Sequence, residues 1–129
     1  MANAVAYLDT HIAAWLAAGK LSHIGPKPRA LLQKAQLLLS PTALLELEYL
    51  YELKRIRLRA RDVLLKLESE TGLRLCELPY AVIASAALDE KWTRDPFDRL
   101  IVAHAKANDF ARLISADDEI ARHYPRTVW

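Results

Sequence analysis

The sequence predicts an α/β fold in which a mainly parallel sheet is covered by helices on both faces. Short apolar runs alternate with longer segments of helical periodicity from one end of the chain to the other. Strands that alternate with helices favour right-handed crossovers, which build parallel sheets with both faces covered. The chain has 129 residues, of which 53% are hydrophobic. It can therefore bury a substantial core, and we expect a single domain over residues 1–129.

The first half of the chain contains two predicted strands, each followed by a helical segment. Ser40 and Pro41 offer an N-cap and a first-turn proline, which favour a helix start. The predicted elements are a strand at "AVAYL" (4–8), a helix at "THIAAWLAA", a helix at "PRALLQKAQ", a strand at "LLL" (37–39) and a helix from Pro41 to about Arg55.

The second half repeats the alternation with shorter strands. Gly72 is expected to stop one helix, and Pro79 and Pro96 to begin two others. The predicted elements are a helix at "RDVLLKLESET", a strand at "LRLCEL", a helix at "YAVIASAAL", a helix from Pro96 to about Asn108, a strand at "RLIS" (112–115), a helix from Asp117 to His123 and an edge strand at "TVW".

Composition excludes several classes of protein. Cys76 is the single cysteine, which excludes an intrachain disulfide and a cysteine-based zinc cluster. The longest uncharged run, residues 78–88, is too short to span a bilayer. The N-terminal apolar stretch has no basic leader, so we see no signal peptide and expect a soluble, cytoplasmic protein that does not bind a membrane. The net charge of +2 is too small to indicate a partner.

Four acidic residues fall where strands end or helices begin. Asp9 directly follows the first strand, and Asp117 lies two residues past "RLIS". Glu46 lies about a turn and a half into the helix after "LLLS", and Asp98 lies at the head of the long C-terminal helix. Parallel sheets bind ligands at the carboxyl ends of their strands, so we expect these four acids to converge there.

Helix capping is the simpler explanation for some of these acids. In "RDPFDRLIVAHA", Asp95 is a good N-cap and Asp98 lies in the first turn, where the positive helix end favours an acid. Whether Asp95 also joins the site or only caps its helix stays open. Capping does not explain Glu46, which shares a helix face with Tyr49 and Leu50, where a carboxylate is costly unless it is solvated or compensated.

Carboxylates gathered in one pocket repel one another, and all of them ionise at neutral pH only beside a cation. No lysine or histidine follows a strand end to supply that charge. Ligands that are all oxygen suit Mg²⁺ or Mn²⁺ rather than zinc. The predicted metal ligands are thus Asp9, Glu46, Asp98 and Asp117, with the hydroxyls of Thr10, Ser40 and Ser115 as hydrogen-bond donors to the carboxylates.

The motifs carrying these acids resemble those of the PIN-domain ribonucleases, in particular the VapC-type toxins of bacterial toxin–antitoxin pairs. "YLDTH" is similar to the family's first-strand motif, and "LSPTALLELEYL" to its serine followed six residues later by an acid. "RDPFDRLIVAHA", "LISADDEI" and "HYPRTVW" match later segments, with Ser115 where threonine is usual. The register of the match selects Asp117 over Asp118.

This resemblance implies a PIN-like three-layer sandwich and an endoribonuclease that depends on Mg²⁺ or Mn²⁺. It implies that Asp9, Glu46, Asp98 and Asp117 are both catalytic and metal-binding. It also implies that a cognate antitoxin holds the enzyme inactive.

Three rival functions stay open. A haloacid-dehalogenase-like phosphatase needs a second acid two positions after Asp9, where this chain has His11. A receiver domain needs an acidic pair after its first strand and a lysine after a late strand, and this sequence has neither. A catalytically silent PIN-like binding module is compatible with the sequence, although four retained acids argue against it.

Two further segments bear on partners. "KRIRLRAR" (54–61) is either a phosphate-binding edge for RNA or a solvated helix connection. The helix over residues 42–55 is apolar nearly all round, so its cover is its own core, a second subunit or an antitoxin helix. The expected partners are an RNA substrate, an antitoxin and a second copy of the chain in a homodimer.

We assign Trp15, Trp92 and Trp129 to the core or to an interface rather than to base stacking.

Overall fold

A five-stranded sheet lies at the centre of the structure, a computed structural model that describes residues 4–129. The spatial order is β3-β2-β1-β4-β5, and each neighbouring pair of strands is parallel. The strands are β1 (Val5–Leu8), β2 (Gln36–Leu39), β3 (Arg74–Leu75), β4 (Arg112–Ile114) and β5 (Thr127–Val128). The predicted α/β class is confirmed, while residues 1–3 of the domain expected over 1–129 lie outside the described part.

Helices connect the strands and cover the sheet. The middle of β1 is buried on both of its faces, because the consecutive residues Ala6, Tyr7 and Leu8 point alternately up and down and none is exposed. The helices are α1 (Thr10–Ala17), α2 (Pro26–Lys34), α3 (Pro41–Glu52), α4 (Ala60–Thr71), α5 (Tyr80–Ala87), α6 (Pro96–Ala107) and α7 (Asp118–His123). The sheet with helices on both sides is the three-layer arrangement that the sequence predicts.

Local sequence explains where most of the helices begin and end. Proline occupies the first turn of α2, α3 and α6, where its missing N–H costs nothing. Ser40 caps α3 by accepting a hydrogen bond from the Thr42 N–H at 3.1 Å. Gly72 ends α4 in the left-handed conformation, at φ +73°, which a residue without Cβ adopts without strain.

The main differences from the predicted elements lie in β3, α2 and α3 and in one turn that was not predicted. The strand expected at "LRLCEL" is only Arg74–Leu75, because β3 is an edge strand that pairs with just the last two residues of β2. Helix α2 begins at Pro26 instead of Pro28, and a 3₁₀ turn at Leu21–His23 was not predicted. Helix α3 ends at Glu52 instead of Arg55.

The early end of α3 has a clear backbone cause. Lys54 adopts a left-handed conformation with φ 62°, which breaks the helical run. Its N–H donates to the Tyr51 carbonyl, and the Arg55 N–H donates to the Leu50 carbonyl, both at 2.9 Å. These two bonds form a Schellman motif with lysine at the position that glycine usually occupies. The chain therefore turns sharply into the segment over residues 54–61.

The strand order places a topological switch point beside β1. From β1 the chain first builds β2 and β3 on one side, and it then returns to build β4 and β5 on the other. The connection from β1 leads to β2 on one side, and the connection from β3 crosses to β4 on the other side of β1, so a crevice opens at the carboxyl ends of β1 and β4. Within residues 4–129, no helix has the length and hydropathy needed to cross a membrane.

Candidate active site

Four helices begin at the carboxyl edge of the sheet or beside it, and polar side chains cap all four. Asp9 caps α1, Ser40 caps α3, Asp95 caps α6 and Asp117 caps α7. Helix N-termini carry partial positive charge, which favours carboxylates at these positions. The local preference of each helix start for an acid or hydroxyl thus also gathers acids at one place.

A pocket of about 290 Å³ lies among these helix starts. It brings together all four acids predicted from the sequence, together with Asp95. The residues that line it are Asp9, His11, Trp15, Glu46, Asp95, Asp98, Ala116 and Asp117. Among these lining residues none is a lysine or an arginine, so the pocket has no basic side chain of the kind a receiver domain requires.

Asp9 is the most deeply held of the acids, with 6% of its surface exposed. The Ser115 hydroxyl donates to one of its carboxylate oxygens at 2.6 Å, and the Thr10 N–H donates to the other at 2.8 Å. The Thr10 hydroxyl donates to Glu46 Oε1. Ser115 and Thr10 therefore orient carboxylates, as predicted.

Ser40 does not orient a carboxylate, so that prediction was wrong. Its hydroxyl caps α3 and lies 2.8 Å from His104 Nδ1, which also lies 3.0 Å from the Leu100 carbonyl. A carbonyl oxygen can only accept a hydrogen bond, so the proton of the neutral ring is assigned to Nδ1. A proton on Nε2 instead would leave a buried N–H without an acceptor. Burial also lowers the pKa of His104, which keeps the ring neutral.

Burial and mutual repulsion change the acidity of the site. Burial raises the pKa of Asp98, and the charges of the other four carboxylates raise it further, from 3.8 to about 7. Burial also raises the pKa of Asp9, against the hydrogen bonds from Ser115 and Thr10. The same cause raises the pKa of Glu46, against the Thr10 hydroxyl. The pocket thus concentrates negative charge, and His11 is the one basic side chain among its lining residues.

Asp95 and Asp117 each cap a helix and line the pocket at the same time. Asp95 accepts from the Phe97 N–H at 2.8 Å and more weakly from the Asp98 N–H at 3.4 Å. Asp117 accepts from the Glu119 N–H at 2.8 Å. Both caps use Oδ1, and both residues line the pocket. The second oxygen of each carboxylate makes no hydrogen bond within the described residues.

The face of α3 that carries Glu46 is less apolar in its surroundings than predicted. Leu50 is buried, but the side chains of Tyr49 and Leu53 are exposed to solvent. Glu46 itself is half-buried and takes its hydrogen bond from α1. Its carboxylate is therefore compensated by a hydroxyl rather than simply solvated.

The donors in the pocket suit Mg²⁺ or Mn²⁺, since carboxylate oxygens are the ligands these ions take. In residues 4–129, no three His, Cys, Asp or Glu side chains stand close enough together to enclose one ion between them. Magnesium sites usually use one or two carboxylates and keep several waters, so a closed cage of side chains is not required. Asp98 adds a chemical reason, because a cation would relieve the repulsion that raises its pKa.

A second cavity, which we call the basic groove, adjoins the acidic pocket. It has a volume of about 650 Å³ and shares His11 and Trp15 with the pocket. Its floor contains small and branched apolar side chains from α1, α3, α4 and the segment over residues 54–61. Its cations are Lys20, Lys54, Arg55, Arg57 and Lys66.

The basic segment predicted from the sequence only partly lines this groove. Arg59 pairs with Glu48 at 2.6 Å and lies over the Tyr51 ring at 5.3 Å, so it anchors the segment to α3. Arg61 is outside the groove. Lys20 and Lys66 reach the groove from other parts of the chain, which sequence proximity could not indicate.

The sequence interpretation also missed the place of His11 and Trp15. Trp15 was assigned to the core or an interface, and His11 was given no role in the site, yet both line the pocket and the groove. Their positions two and six residues after Asp9, four apart on one helix, could have indicated a shared face beside the site.

Residues 6–124 match the family model described as the PIN domain. A chain of the VapBC2 complex from Rickettsia felis, bound to a DNA fragment from its promoter, is similar in fold: TM-score 0.63, 16% identity, coverage 95% of each chain. A chain of a toxin-antitoxin complex from Klebsiella pneumoniae has a TM-score of 0.61 at 17% identity, with 96% of each chain covered. A domain of a functionally unknown protein from Methanocaldococcus jannaschii has a TM-score of 0.55 at 18% identity, covering 95% of this chain and 84% of that one. No curated protein matches the sequence.

Proposed function

Because the chain belongs to the PIN-domain family, we propose that it is a metal-dependent endoribonuclease, the toxin of a toxin–antitoxin pair. One observation carries the proposal: five carboxylates from four separate parts of the chain line one pocket at the switch point of a parallel sheet. We further propose that the chain acts as one domain, in the cytoplasm, on RNA phosphodiesters.

In this proposal Asp9, Glu46, Asp98 and Asp117 hold Mg²⁺ or Mn²⁺. Such an ion supplies positive charge that stabilises the attacking and leaving oxygens of a phosphodiester. The chain's own contribution is orientation. Ser115 and the Thr10 N–H fix both oxygens of Asp9, and the Thr10 hydroxyl fixes Glu46. Asp95 adds negative charge beside Asp98 while it caps α6.

An antitoxin and a second copy of the chain are the proposed protein partners. Helix α3 buries Leu47 and Leu50 in the chain's own core, but leaves Leu45 66% exposed; Tyr49, and Leu53 just after the helix, are also exposed. Exposed apolar side chains grouped on one helix favour a protein interface. Two structural neighbours are described as VapBC2 and as a toxin-antitoxin complex, which supports the assignment of one partner to an antitoxin.

Cleavage of structured RNA by the purified protein, with and without Mg²⁺ or Mn²⁺, tests the nuclease. We expect cleavage only with the metal. Asp9→Asn, Glu46→Gln, Asp98→Asn and Asp117→Asn should each lower the rate by more than about 100-fold, because even outer hydrogen-bond partners of metal ligands are worth 10- to 100-fold. Glu52→Gln and Asp118→Asn are matched controls, since both acids are exposed and lie outside the pocket. Full activity in EDTA would refute the proposal.

Growth of a bacterial host tests the toxin assignment with the same variants. Expression of the wild-type chain should arrest growth, and Asp9→Asn should not. Co-expression of a small adjacent gene encoding the antitoxin should restore growth. Unimpaired growth with abundant, active wild-type protein would contradict the toxin assignment while leaving the nuclease intact.

A further inference from the structure

We propose that Trp15, with His11 beside it, is a stacking platform that holds a base of single-stranded RNA at the junction of the acidic pocket and the basic groove. The inference rests on the proposed nuclease function and names the substrate subsite next to the scissile phosphate. Trp15 also packs against the hydrophobic core, as expected from the sequence, and the platform is a second role for the same side chain.

The two rings stand where a strand must pass from the groove to the carboxylates. His11 and Trp15 lie four residues apart on α1, with ring centroids 6.3 Å apart and planes at 55°. Asp9, the most deeply buried acid of the pocket, caps the same helix, so both rings lie on the helix that begins at this carboxylate. Each residue lines both cavities, and His11 is exposed while Trp15 is half-buried.

Trp15 is held in place by aromatic neighbours from two other parts of the chain. The His23 ring meets it edge-on at 5.3 Å and 71°, and the Trp129 ring lies at 6.0 Å and 42°. Aromatic pairs of this kind fix ring orientation. A platform that is already oriented loses little conformational entropy when a base stacks on it.

The charges of the groove favour a polyanionic strand as its occupant. Lys20, Lys54, Arg55, Arg57 and Lys66 are all exposed, and none forms an ion pair within residues 4–129. Single-stranded nucleic acids bind sites that combine a cationic path for phosphates with aromatic faces for bases. An acidic, apolar peptide would match the cations and the groove floor, but it would leave the continuity with the acidic pocket unexplained.

The platform is tested by measuring the binding of a single-stranded RNA oligonucleotide in EDTA, which removes the metal that the proposed cleavage requires. We expect Trp15→Leu, which keeps apolar volume but loses the indole, to weaken binding by roughly 5- to 150-fold, the range measured for loss of one base stack. Trp15→Phe should restore most of the affinity. Trp92→Leu is the matched control, because Trp92 stacks on His123 rather than on Trp15 and lines neither cavity.

A strand with abasic residues separates stacking from phosphate contacts. Wild-type protein should bind this strand more weakly than intact RNA, and Trp15→Leu should bind both equally. Should Trp15→Leu fail to fold, Trp92→Phe combined with Trp129→Phe leaves Trp15 as the one tryptophan of the chain. Intact RNA should then quench its fluorescence, and the abasic strand should not.

The outcomes distinguish this inference from the function on which it rests. Wild-type protein that neither binds nor cleaves RNA would overturn the proposed function. Wild-type protein that cleaves RNA, while Trp15→Leu binds RNA as tightly as wild type does, would overturn the platform alone. An acidic peptide that binds through Trp15 and is not displaced by RNA would assign the groove to a protein partner and overturn the platform as well.

Discussion

Asp95 and Asp98 have distinct roles within one turn of α6. Asp95 caps the helix with one oxygen, whereas the Asp98 side chain makes no hydrogen bond within the described residues. The charge of Asp95 is the largest electrostatic cause of the raised Asp98 pKa, after burial. The motif is therefore both a helix start and part of the acidic pocket.

The raised pKa of Asp98 predicts how stability depends on pH in EDTA. Between pH 4 and 7 the folded protein keeps the Asp98 proton that the unfolded chain releases, since the pKa rises from 3.8 to about 7 on folding. The free energy of unfolding should thus fall as pH rises through this window. Burial raises the pKa of Asp9 and Glu46 too, which adds to the same trend.

Urea denaturation at several pH values measures this effect. Asp98→Asn should reduce the fall of the unfolding free energy with rising pH more than any other single substitution in the pocket. Asp95→Asn should flatten it less, because asparagine still caps α6 but no longer repels Asp98. Divalent metal should raise stability most at pH 7 and above, where the carboxylates are ionised. A wild-type profile no steeper than that of Asp98→Asn would contradict the assignment.

At the residue scale, sequence reasoning identified which acids meet but not all of their hydrogen-bond partners. Asp9, Asp98 and Asp117 were predictable because each lies at the end of a strand or the start of a helix. Glu46 was predictable because it shares a helix face with apolar side chains, where a carboxylate is costly. Ser40 was misassigned because its partner, His104, lies 64 residues away on another helix. Ser115 was assigned correctly over a longer span, because it lies at the end of β4 beside β1, whereas His104 lies within α6, where no strand end indicates a partner for Ser40.

At the scale of elements, the end of α3 directs the chain into the basic groove. Lys54 is held in a left-handed conformation that costs a residue with a Cβ about 1–2 kcal/mol. It is also one of the cations that line the groove. The helix terminus thus retains lysine where glycine would be less strained.

Lys54→Gly and Lys54→Ala separate these two properties. Lys54→Gly should stabilise the protein by about 0.5–1 kcal/mol, the relief of strain less the greater entropy of glycine in the unfolded chain. Lys54→Ala should not stabilise it, since alanine retains the strain. Both variants should weaken RNA binding to the same extent, because both remove the charge. Equal stability of the two variants, measured by urea denaturation, would show that Lys54 is not strained.

Sequence patterns predicted the order of elements well because prolines, caps and Gly72 mark their ends. The patterns failed where tertiary structure sets the boundary. β3 is short because it is an edge strand that pairs with only two residues of β2. Helix α3 ends before Lys54 because the N–H groups of Lys54 and Arg55 donate back to carbonyls of its last turn. Neither boundary carries a proline or glycine to indicate it.

At the scale of the whole molecule, opposite charges are divided between two joined cavities. The acidic pocket contains five carboxylates, and the basic groove contains five exposed cations. The net charge of +2 conceals this division, which is why composition alone indicated no partner. We expect the groove to supply affinity for RNA and the pocket to supply chemistry.

Replacing Lys54, Arg55 and Arg57 together by alanine tests this division. RNA binding should weaken for all sequences, and the slope of log affinity against log salt should become shallower by about 2, near 0.7 per lost phosphate contact. Lys27, Lys34 and Arg74 form a matched control set, since they are exposed, unpaired within residues 4–129 and outside both cavities. An unchanged slope in the groove variant would show that these residues are only a solvated connection.

The hydrogen bond from Ser115 to Asp9 joins residues 106 positions apart. A second bond, from the Asp9 N–H to the Ile114 carbonyl, has a similar span. At synthesis rates of 5–20 residues per second, the ribosome needs roughly 5 to 20 s to make β4 after it has made Asp9. Until then Asp9 lacks Ser115, and the pocket lacks Asp117. If the proposed function holds, a chain that ends before β4 should not cleave RNA, because its pocket is incomplete, and an antitoxin that binds during synthesis would meet the earlier helices before the pocket is complete.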